Sequence, residues 1–477
     1  MVSRPSSPSS SDKSSEAAVS GWIERLSLVD LTNLAVEAQD TPMHQGAIGV
    51  LAGAALLDPA GRVRIEMIRA HLEARLERVP SLRRKLWRTR RFEGRPLWVD
   101  DPDFRIENHV LAARLPAPGG EARAFEFAES KMAILMDRTC PLWQLWFLEG
   151  YGPGKIGVFL KLHHVLADGI AILNIISLLF DLAPGEQLEA KPPLWTPAAP
   201  PSHVALMRDN IALKGRLVLR AARRLAHPVV LLRSIAAAGR GLVALIREGA
   251  GTPRTSLNRP IGSHRTVGVV RLQLSAVKLA AHSRGVKVND VILDLVAAGV
   301  RRVLASRGER THGVSIRASM AVLLSPETSD VSGNHAGTMI VPLPVDGVSE
   351  NERLSAIAAA TARAKHAQRG SMSQGFMVLM AVTGLTRFFI RRQRLVNILV
   401  TNLAGPQFPL YVAGARLLDA FAITPVAGNV TASFAVLSYD GHLDLSVHAD
   451  GEAWPDFDVL LSGIELAWRE LRVEVAA

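Results

Sequence analysis

A single cysteine, Cys140, occurs in 477 residues. No internal disulfide can form, which excludes a disulfide-stapled scaffold and a zinc ribbon and favours a reducing compartment. Aromatic residues make up only 5%, and they do not interleave with basic residues as single-strand nucleic-acid binders require. Helix-turn-helix and zinc-finger signatures are missing too, so nucleic acid is not an expected partner. No apolar run is long enough to span a bilayer. The most apolar one, Ile170 to Leu182, is short and carries Asn174 and Asp181. The first residues have no apolar segment of the secretory kind. They form a Ser-rich stretch that reads as a disordered tail over residues 1–20.

What is present is globular: 48% apolar and 21% charged residues. At roughly 150 residues per domain the length suggests two or three domains. The 55 Lys+Arg against 44 Asp+Glu leave a formal charge of +11, with a pI near 10.2. An anionic membrane surface or a phosphate-rich co-substrate would use that charge, and an arginine-rich genomic background would also produce it. A mean hydropathy of +0.18 leans toward lipid.

Periodicity divides the chain into two mixed blocks. In the first, Gly46–Leu57 reads as a strand, and Ile65–Val79 and Arg123–Met136 as helices. Leu142–Leu148 and Ile156–Leu162 read as paired strands around Gly150–Gly154, followed by a buried helix over Ile170–Leu182. Ser27 is a candidate cap for the first helix. Lys191–Pro201 is proline-dense and marks a boundary. Beyond it, His203–Gly249 is helical and basic, split at Pro228. Its Arg216, Arg220, Arg223, Arg224, Arg233, Arg240 and Arg247 alternate with Leu, Val and Ile. Such helices can lie on an anionic bilayer or pack on the protein with their arginines in water. The second block begins near Thr266 with a strand and contains a helix over Val288–Ser306. It also contains strands at Val314–Leu324, Thr338–Leu343 and Ile398–Asn402, a helix over Glu350–His366, and a hairpin turning at Asp440-Gly441. The expected division is therefore 1–20 tail, 21–190 first subdomain, 191–262 linker and basic helices, and 263–477 second subdomain.

The chemistry concentrates at His163-His164-Val165-Leu166-Ala167-Asp168-Gly169, where a buried strand ends and a buried helix begins. An imidazole there can act as a general base at neutral pH. Asp168 can orient a ring or brace the turn, and Gly169 permits positive φ or close backbone approach. Adjacent strand residues face opposite ways, so His163 and His164 cannot easily share a metal, and no metal site is expected. No Gly-x-Ser-x-Gly elbow is present, and Cys140 has no diagnostic context. The base is therefore expected to act directly on a substrate hydroxyl.

The HHxxxDG pattern resembles the active-site motif of the CoA-dependent acyltransferase superfamily. Further segments resemble the bacterial wax ester synthase/diacylglycerol acyltransferase family in order along the chain. They are Thr41-Pro42-Met43-His44, Asp137-Arg138 with Pro141-Leu142-Trp143, Asn289-Asp290, Gly333-Asn334, Asn402-Leu403-Ala404-Gly405-Pro406 and Ser438-Tyr439-Asp440-Gly441. Ile316–Met320 departs from the Pro-Val-Ser-x-Arg pattern expected there. The resemblance implies an α/β (α+β) fold of two chloramphenicol-acetyltransferase-like subdomains with a tunnel between them, joined by the proline-rich linker and basic helices. It implies an acyl-CoA-dependent O-acyltransferase esterifying diacylglycerol or a long-chain fatty alcohol. His164 would be the base, His163 its support and Asp168 a structural group. Gly169, Pro141, Leu142, Trp143, Asn289 and Asp290 would serve substrate binding, with a core role open for the Pro141–Trp143 segment and a helix cap open for Asn289 and Asp290. Acyl-CoA would be a co-substrate, with no permanently bound cofactor. The enzyme would be cytoplasmic, on the inner face of a membrane or on lipid inclusions. The competing readings are acylation of another lipid or polyketide alcohol, and a non-catalytic lipid-inclusion coat protein.

Overall fold

The computed structural model describes residues 23–185, 195–225, 252–323, 336–347, 349–367 and 384–476. The Ser-rich tail, residues 191–194 of the linker, Pro228, Arg233, Arg240, Arg247 and Gly333-Asn334 lie outside the described residues.

The first half opens with α1 (Leu28–Val36), where the Ser27 hydroxyl accepts from the Asp30 amide and the Asp30 carboxylate accepts from the Ser27 amide. Then come β1 (His44–Ala52), α2 (Ile65–Glu73), β2 (Arg84–Trp87), β3 (Leu97–Asp100), β4 (Val110–Arg114), α3 (Gly120–Met132), β5 (Trp143–Gly152), β6 (Lys155–His163) and α4 (Gly169–Leu179). The helix α5 (His203–Leu225) leads to the second half. That half holds β7 (Arg265–Gln273), α6 (Leu274–Ser283), α7 (Val288–Ser306), β8 (Ser315–Leu323), β9 (Ala336–Pro344), α8 (Glu350–Ala367), α9 (Thr386–Ile390) and β10 (Ile398–Ala404). It closes with β11 (Tyr411–Val412), β12 (Ala415–Ile423), β13 (Ala432–Tyr439), β14 (His442–Asp450) and α10 (Phe457–Ala476).

Two six-stranded mixed sheets result, ordered β11-β12-β1-β6-β5-β4 and β7-β14-β13-β10-β8-β9. The second half lends β11 and β12 to the first sheet, where β12 pairs antiparallel with β1 from Gly46↔Ile423 onward. In the second half α7 is almost wholly buried among sheet strands and neighbouring helices. The hairpin at Asp440-Gly441 has positive φ at both residues, +44° and +85°, the left-handed pair that an Asp-Gly turn supplies.

Four expected elements end early. The helix read over Arg123–Met136 begins at Gly120 and stops at Met132. The strand read over Gly46–Leu57 stops at Ala52, where a 3-10 turn over Gly53–Ala55 takes over. The helix read over Ile65–Val79 stops at Glu73 and continues as a 3-10 turn, Leu76–Arg78. The helix read to Leu182 ends at Leu179, because the Asp181 amide donates instead to the Tyr411 carbonyl at 2.7 Å, bridging to the first sheet's edge.

Candidate active site

His163 ends β6, and Asp168 caps α4 four residues after His164. The Asp168 carboxylate accepts from the Ile170 and Ala171 amides at 3.1 and 3.0 Å, satisfying donors that the helix start leaves open. Gly169 follows with ordinary negative φ. Its constraint is space: a Cβ there would stand 2.9 Å from Leu403 Cδ2 on β10. Of the two roles expected for this glycine, close approach is the one observed.

The two histidines have different surroundings. His163 is fully buried. Its Nδ1 accepts from the Val165 amide at 3.1 Å, so its proton sits on Nε2, which lies 3.0 Å from Glu37 Oε1. Its own amide donates to the Leu142 carbonyl at 3.0 Å. Glu37 is nearly inaccessible and also receives Arg138 Nε at 3.2 Å and the Met43 amide at 3.2 Å. Burial alone would raise its carboxyl pKa. The hydrogen bonds from His163 and Arg138, with the positive charge of Arg138, outweigh that and bring it to about 2. His44 stands against the same carboxylate, with Nε2 at 3.7 Å and Nδ1 donating to the Met132 carbonyl at 3.1 Å. Burial, with Lys161 and His163 nearby, lowers its pKa to about 3, so it is neutral.

His164 faces a cavity of about 500 Å³ between the two halves. Its amide donates to the Met43 carbonyl at 2.8 Å, fixing the backbone against β1. Burial lowers its pKa below the ordinary histidine value, against a bond to its own backbone and the pull of Asp168 and Asp30. The ring is therefore neutral at pH 7. Asp168, Gly169 and Gln45 also line the cavity from the first half, with Val29, Asn33 and Ile170. The second half supplies Asn289, Ser319, Thr401, Asn402 and Lys365. Asn402 Nδ2 donates to Asn289 Oδ1 at 3.3 Å, tying α7 to β10 at the cavity wall.

The remaining expected residues lie elsewhere. Asp290 is buried and accepts from the Lys287 amide at 3.0 Å and the Thr361 hydroxyl at 2.6 Å, caps α7 and does not line this cavity. Pro141, Leu142 and Trp143 are buried outside it. Trp143 donates to the Leu82 carbonyl at 2.7 Å and stacks on His109 at 4.8 Å. It also walls a small apolar cavity beneath the first sheet, with Leu160 and Ile175. Burial first, then Asp137, raises the Cys140 thiol pKa, which disfavours the thiolate. Among the described residues, no group of three or more His, Cys, Asp or Glu side chains could hold a metal ion. Glu37 is the residue that the sequence did not single out. It stands alone at the end of α1, and only the fold carries it to His163.

Two sheet-rich α/β halves meet at the HHxxxDG cavity, a fold shared with wax ester synthase/diacylglycerol acyltransferases and with condensation domains. The family models for the wax ester synthase/diacylglycerol acyltransferase catalytic domain and the WS/DGAT C-terminal domain match residues 26–292 and 332–472. The chain belongs to this family and is an acyltransferase. A Mycobacterium tuberculosis protein named for diacylglycerol O-acyltransferase is 30% identical over 444 residues, covering 90% of this chain and 92% of its own. Another from the same species, similarly named, is 29% identical over 480 residues, covering 96% and 92%. The wax ester synthase/diacylglycerol acyltransferase of Marinobacter aquaeolei superposes with a TM-score of 0.64 at 21% identity, covering 95% of this chain and 100% of that one. The first condensation domain of the calcium-dependent antibiotic synthetase gives 0.59 at 15% identity, covering 96% and 97%.

Proposed function

We propose that this acyltransferase moves a long-chain acyl group from acyl-CoA to the hydroxyl of diacylglycerol or a long-chain fatty alcohol, with His164 as general base. The observation that carries this reading is a neutral imidazole, His164, at the wall of a cavity built from both halves. The unprotonated ring nitrogen of His164 takes the acceptor proton as the hydroxyl oxygen attacks the thioester carbonyl. The tetrahedral intermediate collapses, the C–S bond breaks, and the proton passes to the leaving CoA thiolate. Ser319, Thr401 and Asn402, which line the second half's wall, are our candidate donors to the developing oxyanion. Atoms and charge balance without a resident cofactor. His163, locked to Glu37, positions the strand end and does not exchange protons with substrate. Because acceptor and product are water-insoluble, we place the enzyme at a membrane or lipid-inclusion surface. Among the described residues no helix is long and apolar enough to cross a membrane.

Free-thiol release from palmitoyl-CoA, measured with hexadecanol, with a diacylglycerol and with neither, tests the reading. Release that depends on an acceptor supports it and ranks the two acceptors. Folded protein that releases no thiol with either would favour the coat-protein reading.

A further inference from the structure

The loop between β2 and β3 carries four arginines, at 88, 90, 91 and 95, and one exposed aromatic. At its tip Phe92 is 65% exposed and holds φ at +76°, a left-handed conformation that is unfavourable for an aromatic residue. Part-buried polar contacts hold it there. Asn210 of α5 donates to the Phe92 carbonyl at 2.7 Å, the Thr89 hydroxyl to the Gly94 carbonyl at 2.6 Å, and Arg25 to the Arg95 carbonyl at 2.8 Å. Glu93, itself buried, accepts from the Arg90 amide at 2.7 Å and pairs with His203 at 2.6 Å. Five fastenings on one eight-residue tip hold an apolar ring out in solvent.

Helix α5 extends the same surface. Val204, Met207, Ile211 and Val218 recur at helical spacing, and all four are exposed, Ile211 and Val218 by 68% each. Between helix and tip lies an open groove of about 730 Å³. Its charged side chains are Arg90, Arg91, Arg95, Lys214 and Arg216, with no acidic residue among them. Two neighbouring acids are already committed, Glu93 to His203 and Asp209 to Arg25.

We propose that this tip and α5 form the docking surface for an anionic phospholipid bilayer, with Phe92 and the α5 stripe in the acyl boundary and the groove's cations on the phosphates. Charge complementarity selects this occupant, since a neutral partner leaves five cations crowded and a purely polar polyanion leaves the apolar stripe wet. The proposal rests on the acyltransferase reading only for why a lipid surface is visited.

The test is sedimentation of the full chain with vesicles of phosphatidylcholine alone or mixed with phosphatidylglycerol, without acyl donor, so its failure is separable from failure of the transfer reaction. Wild type binds the phosphatidylglycerol vesicles and is released by salt. Arg90→Ala and Arg91→Ala each weaken binding by about fivefold. Phe92→Asn, which tolerates the left-handed backbone, and Val218→Ser on the separate helix weaken it as well. Turnover of detergent-dispersed acceptor is unchanged in all four. Equal binding to both vesicle types, or binding by all four variants at the wild-type level, overturns the proposal. So does a pattern in which only the arginine changes matter, because then no apolar group is seated. A change in self-association in place of vesicle binding would assign the surface to a second copy of the chain.

Discussion

His163 and His164 are neighbours in sequence and opposites in environment. One is locked to a buried carboxylate; the other is a neutral ring at a cavity wall. The lowered pKa of His164 has a defined consequence for rate. The base must be neutral, so activity is lost as pH falls through its pKa, and burial moves that limb below the ordinary value near 6.5. A kcat/KM profile is expected to stay level from pH 8 to 7 and to fall only below pH 6.5. A midpoint at or above 7 would contradict the assignment. Glu37 behaves oppositely in stability. Its folded pKa of about 2 lies below the ordinary glutamate value of 4.5, so its contribution is present above pH 4.5 and is lost as pH falls toward 2. Glu37→Gln is expected to cost about 2 kcal/mol at pH 7, read by denaturant unfolding, with the gap closing in acid.

At the scale of elements, the short link from β6 to α4 sets the site. Asp168 acts here as an N-cap. Asp168→Ala should cost about 1 kcal/mol of stability, while Asp168→Asn, an equally good cap, should retain most of it. Equal loss in both would show that charge, not capping, matters. Most strands and helices were legible because their periodicity is strong: α7 spans the residues that its spacing predicts, and Asp440-Gly441 gives its hairpin away. The elements that ended early, such as α4 at Leu179, were cut by contacts distant in sequence, which no local pattern reports. Within the site, HHxxxDG was legible because two histidines, an aspartate and a glycine make a poor core. Glu37, Gln45 and Lys365 were not, since each is a lone polar residue whose meaning comes only from what the fold sets opposite it.

At the scale of the whole molecule, the halves are joined by more than a linker. β12 completes the first sheet, and Arg271 of β7 reaches Asp419 of β12 at 3.3 Å and Glu121 of α3. Asp444, across from Arg271, is buried beside Asp419. Burial first and the neighbouring carboxylate second raise its pKa well above the usual range. A carboxyl whose folded pKa is raised binds its proton more tightly in the folded state. It therefore costs stability increasingly as pH rises above the unfolded value near 3.8. Asp444→Asn is expected to be more stable than wild type at pH 8, with the difference shrinking toward pH 4, as melting temperatures at the two pH values would record. An equal effect at both pH values would mean that packing, not ionisation, is responsible.

The central claim is that the cavity between the halves performs direct acyl transfer with His164 as base. The most direct measurement is kcat/KM for acceptor-dependent thiol release by His164→Ala against wild type, with melting temperature as the folding control. The account predicts a loss of about 10²–10⁴-fold at an essentially unchanged melting temperature. A folded variant that keeps activity within a few-fold of wild type would contradict it.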